Sequence, residues 1–408
     1  MEAGSGIAGK PITDFNRQGI ARLDLKKLIP LYLGAAMGPM GGFGIVTILP
    51  VMARSWSVAF STAAAAITLY MVPFIVIQVF SGAIAQLFDV RKTLLFGFGL
   101  YTVGALLSAT APDLWTFLLF RVFQGVGAGF LTPIIMALIG ELVPEHHLGK
   151  AIGMLGVAYT VGVTLGPYIS GVIEVHFGWR WFFYFLAAVS AFAGALYWVN
   201  RPPAAKPTGR SGRLLDILPV LHQALAQPGV LATSFAAFSL FLAYIGIMTF
   251  TADHLKTSFQ LPSDRVGTLL SITGFSGIVA SPIAGYLGDR LGRTPVFLAG
   301  TAVVLLAILL MRLVPFDFTR HLFFFLVLGI GAATAWTCLN TMAVRLSSTL
   351  RQPVTSLYNA IKFSGYALAP VAFSVIYKPY RLQGVLVGCM AAVLAAAGLA
   401  WSARANTQ

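Results

Sequence analysis

The sequence predicts an all-α membrane protein with twelve transmembrane helices in two six-helix bundles related by a pseudo-two-fold axis. Three observations carry this. Hydrophobic residues make up 58% of the 408 positions and charged ones only 10%, whereas a soluble globular protein carries about 25% charged residues. The apolar residues fall into runs long enough to cross a bilayer. A short charged motif also occurs twice, about half a chain apart.

A span needs about 20 apolar residues at 1.5 Å rise each. Runs of that kind cover 28–53, 61–84, 93–111, 114–140, 151–173, 181–199, 229–252, 265–287, 294–314, 322–344, 354–377 and 384–402. Each must be a helix, which satisfies its own backbone in lipid; the alternating short segments of an outer-membrane barrel are absent. Residues 1–27 read as a polar cytoplasmic tail, 28–199 as the first bundle, 200–228 as a cytoplasmic linker, 229–402 as the second bundle and 403–408 as a second tail. Within the linker, Leu214 to Ala226 has the pattern of a short amphipathic helix on the membrane surface.

The net charge of +14 does not point to nucleic acid, because the basic residues lie in gaps between apolar runs. With the amino terminus inside, the inner segments hold roughly twice as many Lys and Arg as the outer ones, which favours cytoplasmic termini in a cell (inner) membrane. Cys338 and Cys389 lie inside apolar runs and read as packing residues, not as a disulfide or metal site. His146 and His147 form a lone pair, so no metal is expected. A phosphate-binding Gly-x-x-x-x-Gly-Lys-Ser/Thr loop is missing, which argues against ATP-driven work and against a nucleotide cofactor.

The repeated motif runs from Gly82 through Gln86, Asp89 and Arg91 after the second span, and from Gly285 through Asp289, Arg290, Gly292 and Arg293 after the eighth. Glycines at 285 and 292 suit a tight turn; the arginines hold the loop inside. In the fourth span, Arg121-Val122-Phe123-Gln124-Gly125-Val126-Gly127 places Arg121 and Gln124 on one helix face, and Gly125 and Gly129 permit close helix approach. In the fifth, Gly162, Gly166, Pro167 and Gly171 make a flat face with a bend. Gly178-Trp179-Arg180-Trp181-Phe182 follows.

These stretches resemble the signature patterns of the major facilitator superfamily, and the fifth-span pattern resembles its 12-span drug:proton antiporter (multidrug efflux) branch. The likeness extends over residues 28–402. It implies the major facilitator fold, alternating access, a role in proton coupling for the Arg at 121, and a charge-paired cytoplasmic loop that locks the outward-facing state. The first copy of that loop departs from the pattern, with Gln86 in place of Asp and Asp89-Val90 in place of Gly-Arg, so its lock is expected to be weaker. Ser170 replaces one Gly of the fifth-span pattern.

None of the thirteen acidic residues lies at the middle of a span. The two intramembrane charges, Arg121 and Lys362, are both positive, and a buried cation must face a cavity or a partner. Lys362 shares a helix face with Asn359 and Tyr366. It reads as a cavity lysine that binds an anionic group, as a carrier of the coupling proton, or as a lysine whose stem reaches back to the interface. Arg121 stays protonated and modulates a proton site without being one. Further cavity candidates are Tyr70, Gln78, Tyr159, Tyr244, Trp336, Asn340 and Tyr358. Phe235, Phe238 and Phe241 form a three-spaced stripe that reads as packing or lipid contact.

The expected function is proton-coupled efflux of small amphipathic molecules by a monomer embedded in lipid, with a small-molecule substrate and protons as partners. Transport of an anionic metabolite through Arg121 and Lys362 is the first alternative. A non-transporting receptor or scaffold is the second. An enzyme is not expected.

Overall fold

The computed structural model describes residues 25–87, 89–200, 217–347 and 350–405. The tail expected at 1–24, most of the linker (201–216) and residues 406–408 lie outside them. The chain folds into α1 (Leu25–Phe43), α2 (Ile45–Ser55), α3 (Phe60–Leu87), α4 (Val90–Thr110), α5 (Leu114–Leu142), α6 (Glu145–Phe177) and α7 (Arg180–Asn200). After the linker come α8 (Ile217–Leu225), α9 (Val230–Ser258), α10 (Ser263–Leu291), α11 (Arg293–Leu313), α12 (Phe318–Arg345) and α13 (Arg351–Ala405).

Ten of these helices are long and apolar enough to cross a membrane singly, and α1 with α2 forms an eleventh span bent by 46°. The break falls in a glycine run, Gly41-Gly42 and Gly44, where the chain bends without side-chain crowding. The 55-residue α13 is two spans: Arg381 takes φ 51°, ψ −154°, two residues after Pro379, and turns the chain back. Among the described residues twelve crossings result, six on each side of α8, and every expected span falls on one of them. The molecule thus has two ends. At the far end α2 stops and α13 turns at Arg381; at the terminal end α1 starts and α13 stops.

The two bundles repeat one packing device. In the first, Gly125 and Gly129 of α5 sit against the backbone of α3; a Cβ on Gly129 would lie 2.9 Å from the Phe74 carbonyl. In the second, Gly329 of α12 sits against Thr273 of α10, where a Cβ would come within van der Waals overlap of the backbone. Without a hydrophobic drive between helices in lipid, such close backbone approach supplies the attraction. The expected linker helix is present as α8, and its Ala224 packs with Val230 and Val354 at the terminal end.

Three of the acidic residues are helix caps. Asp89 accepts from the Arg91 and Lys92 amides, Asp317 from the Arg320 amide, and Asp113 from both the amide and the hydroxyl of Thr116, at 3.0 and 2.8 Å. Those bonds, the backbone one first, hold the exposed Asp113 carboxyl below its usual range. A depressed folded-state value means that the cap stabilises fully above the unfolded-state pKa of about 3.9 and is lost as pH falls through the folded one. Asp113→Ala is therefore expected to lower the thermal midpoint at neutral pH, and the gap to the parent should close in strong acid. A pH-independent gap would contradict the cap.

Candidate functional site

The bundles meet tightly at the far end. Along α6 and α10, Gly171 faces Ser263, Gly267 faces Pro167 and Gly274 faces Thr164. Across the same end, Arg54 Nη2 donates to the Lys256 carbonyl at 2.9 Å, and Lys256 Nζ reaches Glu174 at 3.5 Å and the hydroxyl of Ser263. Asp253 accepts from the Tyr377 hydroxyl at 2.6 Å. The antiparallel register of α6 on α10 would bring Gly153 opposite Gly285 nearer the terminal end. A Cβ at either would meet no atom within 4 Å. The two helices therefore part toward the terminal end, while they are in close contact at the far one.

Between them, α13 presents Tyr358, Asn359, Lys362 and Tyr366 on one face. Lys362 is 7% exposed. Its ammonium donates to Asn359 Oδ1 at 2.7 Å and lies 4.6, 5.1 and 5.5 Å from the ring centres of Phe363, Tyr358 and Phe241. The amine thus sits in a ring box and does not run back to the interface, because three π-faces and an amide offer it partial compensation there. Trp336 packs on Phe241 at 5.5 Å and on Tyr244 at 5.3 Å. Tyr244 shares a hydrogen bond with Thr273, and Tyr358 donates to the exposed Asn340 at 2.8 Å. From the first bundle, Phe74 closes on Phe363 at 5.6 Å and Phe43 on Tyr366 at 4.9 Å. Residues of both bundles therefore meet around this lysine. The aromatic stripe divides: Phe241 packs at Lys362, while Phe235 is exposed.

Arg121 lies elsewhere. It is fully buried inside the first bundle. Its guanidinium donates to the Ala66 carbonyl of α3 (3.4 Å), the Gly41 carbonyl of α1 (3.2 Å) and Gln124 Oε1 on its own helix, and stacks 4.1 Å from the centre of Tyr70. Tyr70 and Tyr101 tie into the same place, donating to the Gly38 and Met37 carbonyls. Read from sequence as a cavity residue, Arg121 is here a clamp across three helices. The break after Gly41 leaves α1 carbonyls for a planar fork to take up.

The remaining sequence candidates scatter. Tyr159 donates to the Thr132 carbonyl at 3.3 Å, binding α6 to α5, and Gln78 is half-buried on α3. Gly162 and Gly166 seat α6 on α1, where a Cβ on Gly166 would lie 3.1 Å from the Met40 carbonyl; the Pro167 carbonyl accepts from Thr47 and Ser170. In the second charged loop, Asp289 pairs with Arg293 and, at 3.4 Å, with Arg345 of α12, while Arg290 stacks on Tyr286. The turn rests on Gly292 alone, at φ +92°. Gly285, expected in that turn, lies inside α10 instead, because the helix continues to Leu291. In the first copy, Asp89 caps α4; the side chains of Gly82 and Gln86 lie outside the described residues, and Arg91 contributes its amide to that cap. Sequence reasoning missed the Arg54, Glu174, Lys256 and Ser263 cluster, whose members lie at four helix ends with no common spacing, and it missed Phe363 as a wall of the lysine box.

A two-bundle helical membrane protein whose halves are in close contact at one end, with a buried lysine at their junction, has the build of a secondary transporter. Residues 31–252 and 233–407 match the profile of the Major Facilitator Superfamily, and the chain belongs to it. It is 24% identical to an uncharacterised MFS-type transporter, YwfA of Bacillus subtilis, over 90% of each chain. It is also 24% identical to the multidrug resistance protein MdtG of Salmonella paratyphi B, over 73% of this chain and 74% of that one. Among solved structures, a bacterial homologue of the human lysosomal transporter Spinster, described as inward-facing and unoccupied, superposes with a TM-score of 0.75 at 16% identity, covering 95% of this chain and 98% of that one. The chain is thus a membrane transporter, not an enzyme.

Proposed function

We propose that this transporter exports small amphipathic compounds across a bacterial inner membrane, driven by protons, as a monomer with both termini in the cytoplasm. The observation that carries it is the cluster around Lys362, an aromatic enclosure with a few polar anchors to which both bundles contribute; in transport it is the chamber, closed at the far end and reached where α6 and α10 part. Apolar pockets with sparse polar groups suit amphipathic ligands, and a site between two rocking bundles is what alternating access requires. With cytoplasmic termini, the open end faces the side from which an exporter loads. The likeness to a multidrug resistance protein over most of both chains supports the direction.

Counterflow in proteoliposomes, with a panel of cationic, neutral and anionic aromatic compounds and with or without a pH gradient, tests this. Flux above protein-free vesicles, increased several-fold by a gradient, is the expected result. Flux indifferent to the gradient would remove proton coupling, and absence of flux for every compound would remove the reading altogether.

A further inference from the structure

Lys362 poses a physical problem that the transport reading alone leaves open. An ammonium moved into a low-dielectric interior loses several kcal/mol of hydration. Its protein partners are one amide oxygen and three ring faces. The ion pairs among the described residues join Lys256 to Glu174, Arg293 to Asp289 and Arg345 to Asp289; Lys362 is in none of them. Asn359 accepts one of the three N–H bonds that an ammonium offers. Four residues further along the same face, the Tyr366 hydroxyl is buried, with the side chain 1% exposed, and has no hydrogen-bond partner. Two unfulfilled donors thus stand one helical turn apart on α13, Lys362 beside Phe241 and Phe363, and Tyr366 toward Gly42 and Phe43 of the first bundle.

The charge around them points the same way. Asp253, the nearest acidic residue by sequence to the chamber wall of α9, is occupied at the far end by Tyr377. Glu174 is occupied there by Lys256. A cationic ligand entering the chamber would meet Lys362, with which none of the described acidic residues pairs, and like charge against a desolvated ion is strongly unfavourable. A neutral ligand would leave the ammonium as it stands. An anion would accept from both donors and cancel the charge.

We propose that the chamber takes amphipathic organic anions: a carboxylate on Lys362 and Tyr366, and a flat apolar body among Phe241, Trp336 and Phe363. This rests on the chamber being the transport site and adds the charge class of its substrate.

The test uses full-length protein in proteoliposomes and three probes of one shape: radiolabelled 1-naphthoate, its neutral amide, and the cationic 1-naphthylmethylammonium. Naphthoate should bind at least tenfold more tightly than the amide, and the cation most weakly. Lys362→Gln should bring naphthoate down to the affinity of the amide. Asn359→Asp, nearly isosteric, places a carboxylate beside the ammonium and should abolish the preference with Lys362 still present, which guards against a folding defect in the Gln variant. Lys362→Arg should retain the preference. Naphthoate binding no tighter than the amide, or a preference that survives both Lys362→Gln and Asn359→Asp, overturns the proposal. Counterflow of the amide or the cation without anion preference would end this inference and leave the transport reading standing; counterflow of none of the three would end both.

Discussion

Leucine in place of Gly267 is expected to force the far end open. A Cβ there would lie 3.0 Å from the Pro167 carbonyl carbon and 3.1 Å from Tyr168 Cα, with the Pro167 oxygen closer still. These are backbone atoms, so no rotamer change relieves them. The neighbouring contacts have the same character: Gly274 lies against Thr164, where a Cβ would come within 2.7 Å of that side chain, and Gly171 lies against the Ser263 backbone. α6 must therefore move away from α10. Overpacking of this kind costs about 1–3 kcal/mol, and 1.4 kcal/mol is tenfold in an equilibrium, so the closed state should lose about tenfold or more in population. The Glu174–Lys256 pair at 3.5 Å and the Arg54 bond to the Lys256 carbonyl would part with it.

Spin labels at Phe177→Cys and Arg320→Cys, both exposed at the far end on opposite bundles, provide the measurement. The two native cysteines are buried. The Gly267→Leu distribution should shift to longer distances, and substrate flux should fall by an order of magnitude or more. Gly398→Leu is the control: a Cβ there meets nothing within 4 Å, and it should change neither. A distance distribution unaltered by Gly267→Leu, in folded protein, would show that the glycine contacts do not hold the closure.

Arg121→Lys is expected to destabilise the first bundle despite conserving charge. Two terms compete at this position. The guanidinium stabilises by bonding to α1, α3 and Gln124 at once and by stacking on Tyr70. Its burial costs hydration, and no carboxylate stands among those partners. A leucine would remove both terms. A lysine keeps the cost and loses the planar fork and the stacking. Buried carbonyls left without a donor cost about 1–3 kcal/mol each, so the Lys variant should lose about 2–4 kcal/mol and unfold at a clearly lower temperature in detergent. Its proton dependence of transport should keep the parental shape. A Lys variant of parental stability with a displaced pH profile would return Arg121 to the coupling role that its motif implies.

The spans were legible because their signal is local. A run such as Leu114 to Gly140 must be a helix in lipid wherever it lies, and lipid accepts few charges. The Gly125 and Gly129 pair was legible for a similar reason: spacing four on a helix names a flat face, though not the helix that fills it. The break at Arg381 was visible only as a gap between two runs. Gly285 was misplaced because a glycine marks a possible turn, and the turn was made seven residues later at Gly292.

What is not local was not legible. Arg121 and Lys362 look alike in sequence: single cations in apolar runs, each with an amide three residues away. Packing separates them, since Arg121 finds carbonyls where α1 breaks and becomes a strut, while Lys362 finds π-faces and remains short of an anion. The far-end cluster joins Arg54, Glu174, Lys256 and Ser263 from four helices, and no spacing connects them. The sequence by itself determined that the chain lies in a membrane as twelve helices and which family it belongs to, because hydropathy and glycine spacing act within one helix. Which buried charge is clamped by backbone carbonyls, which lies among aromatic rings, and which end is closed were decided by tertiary structure alone, because each depends on atoms from helices distant along the chain.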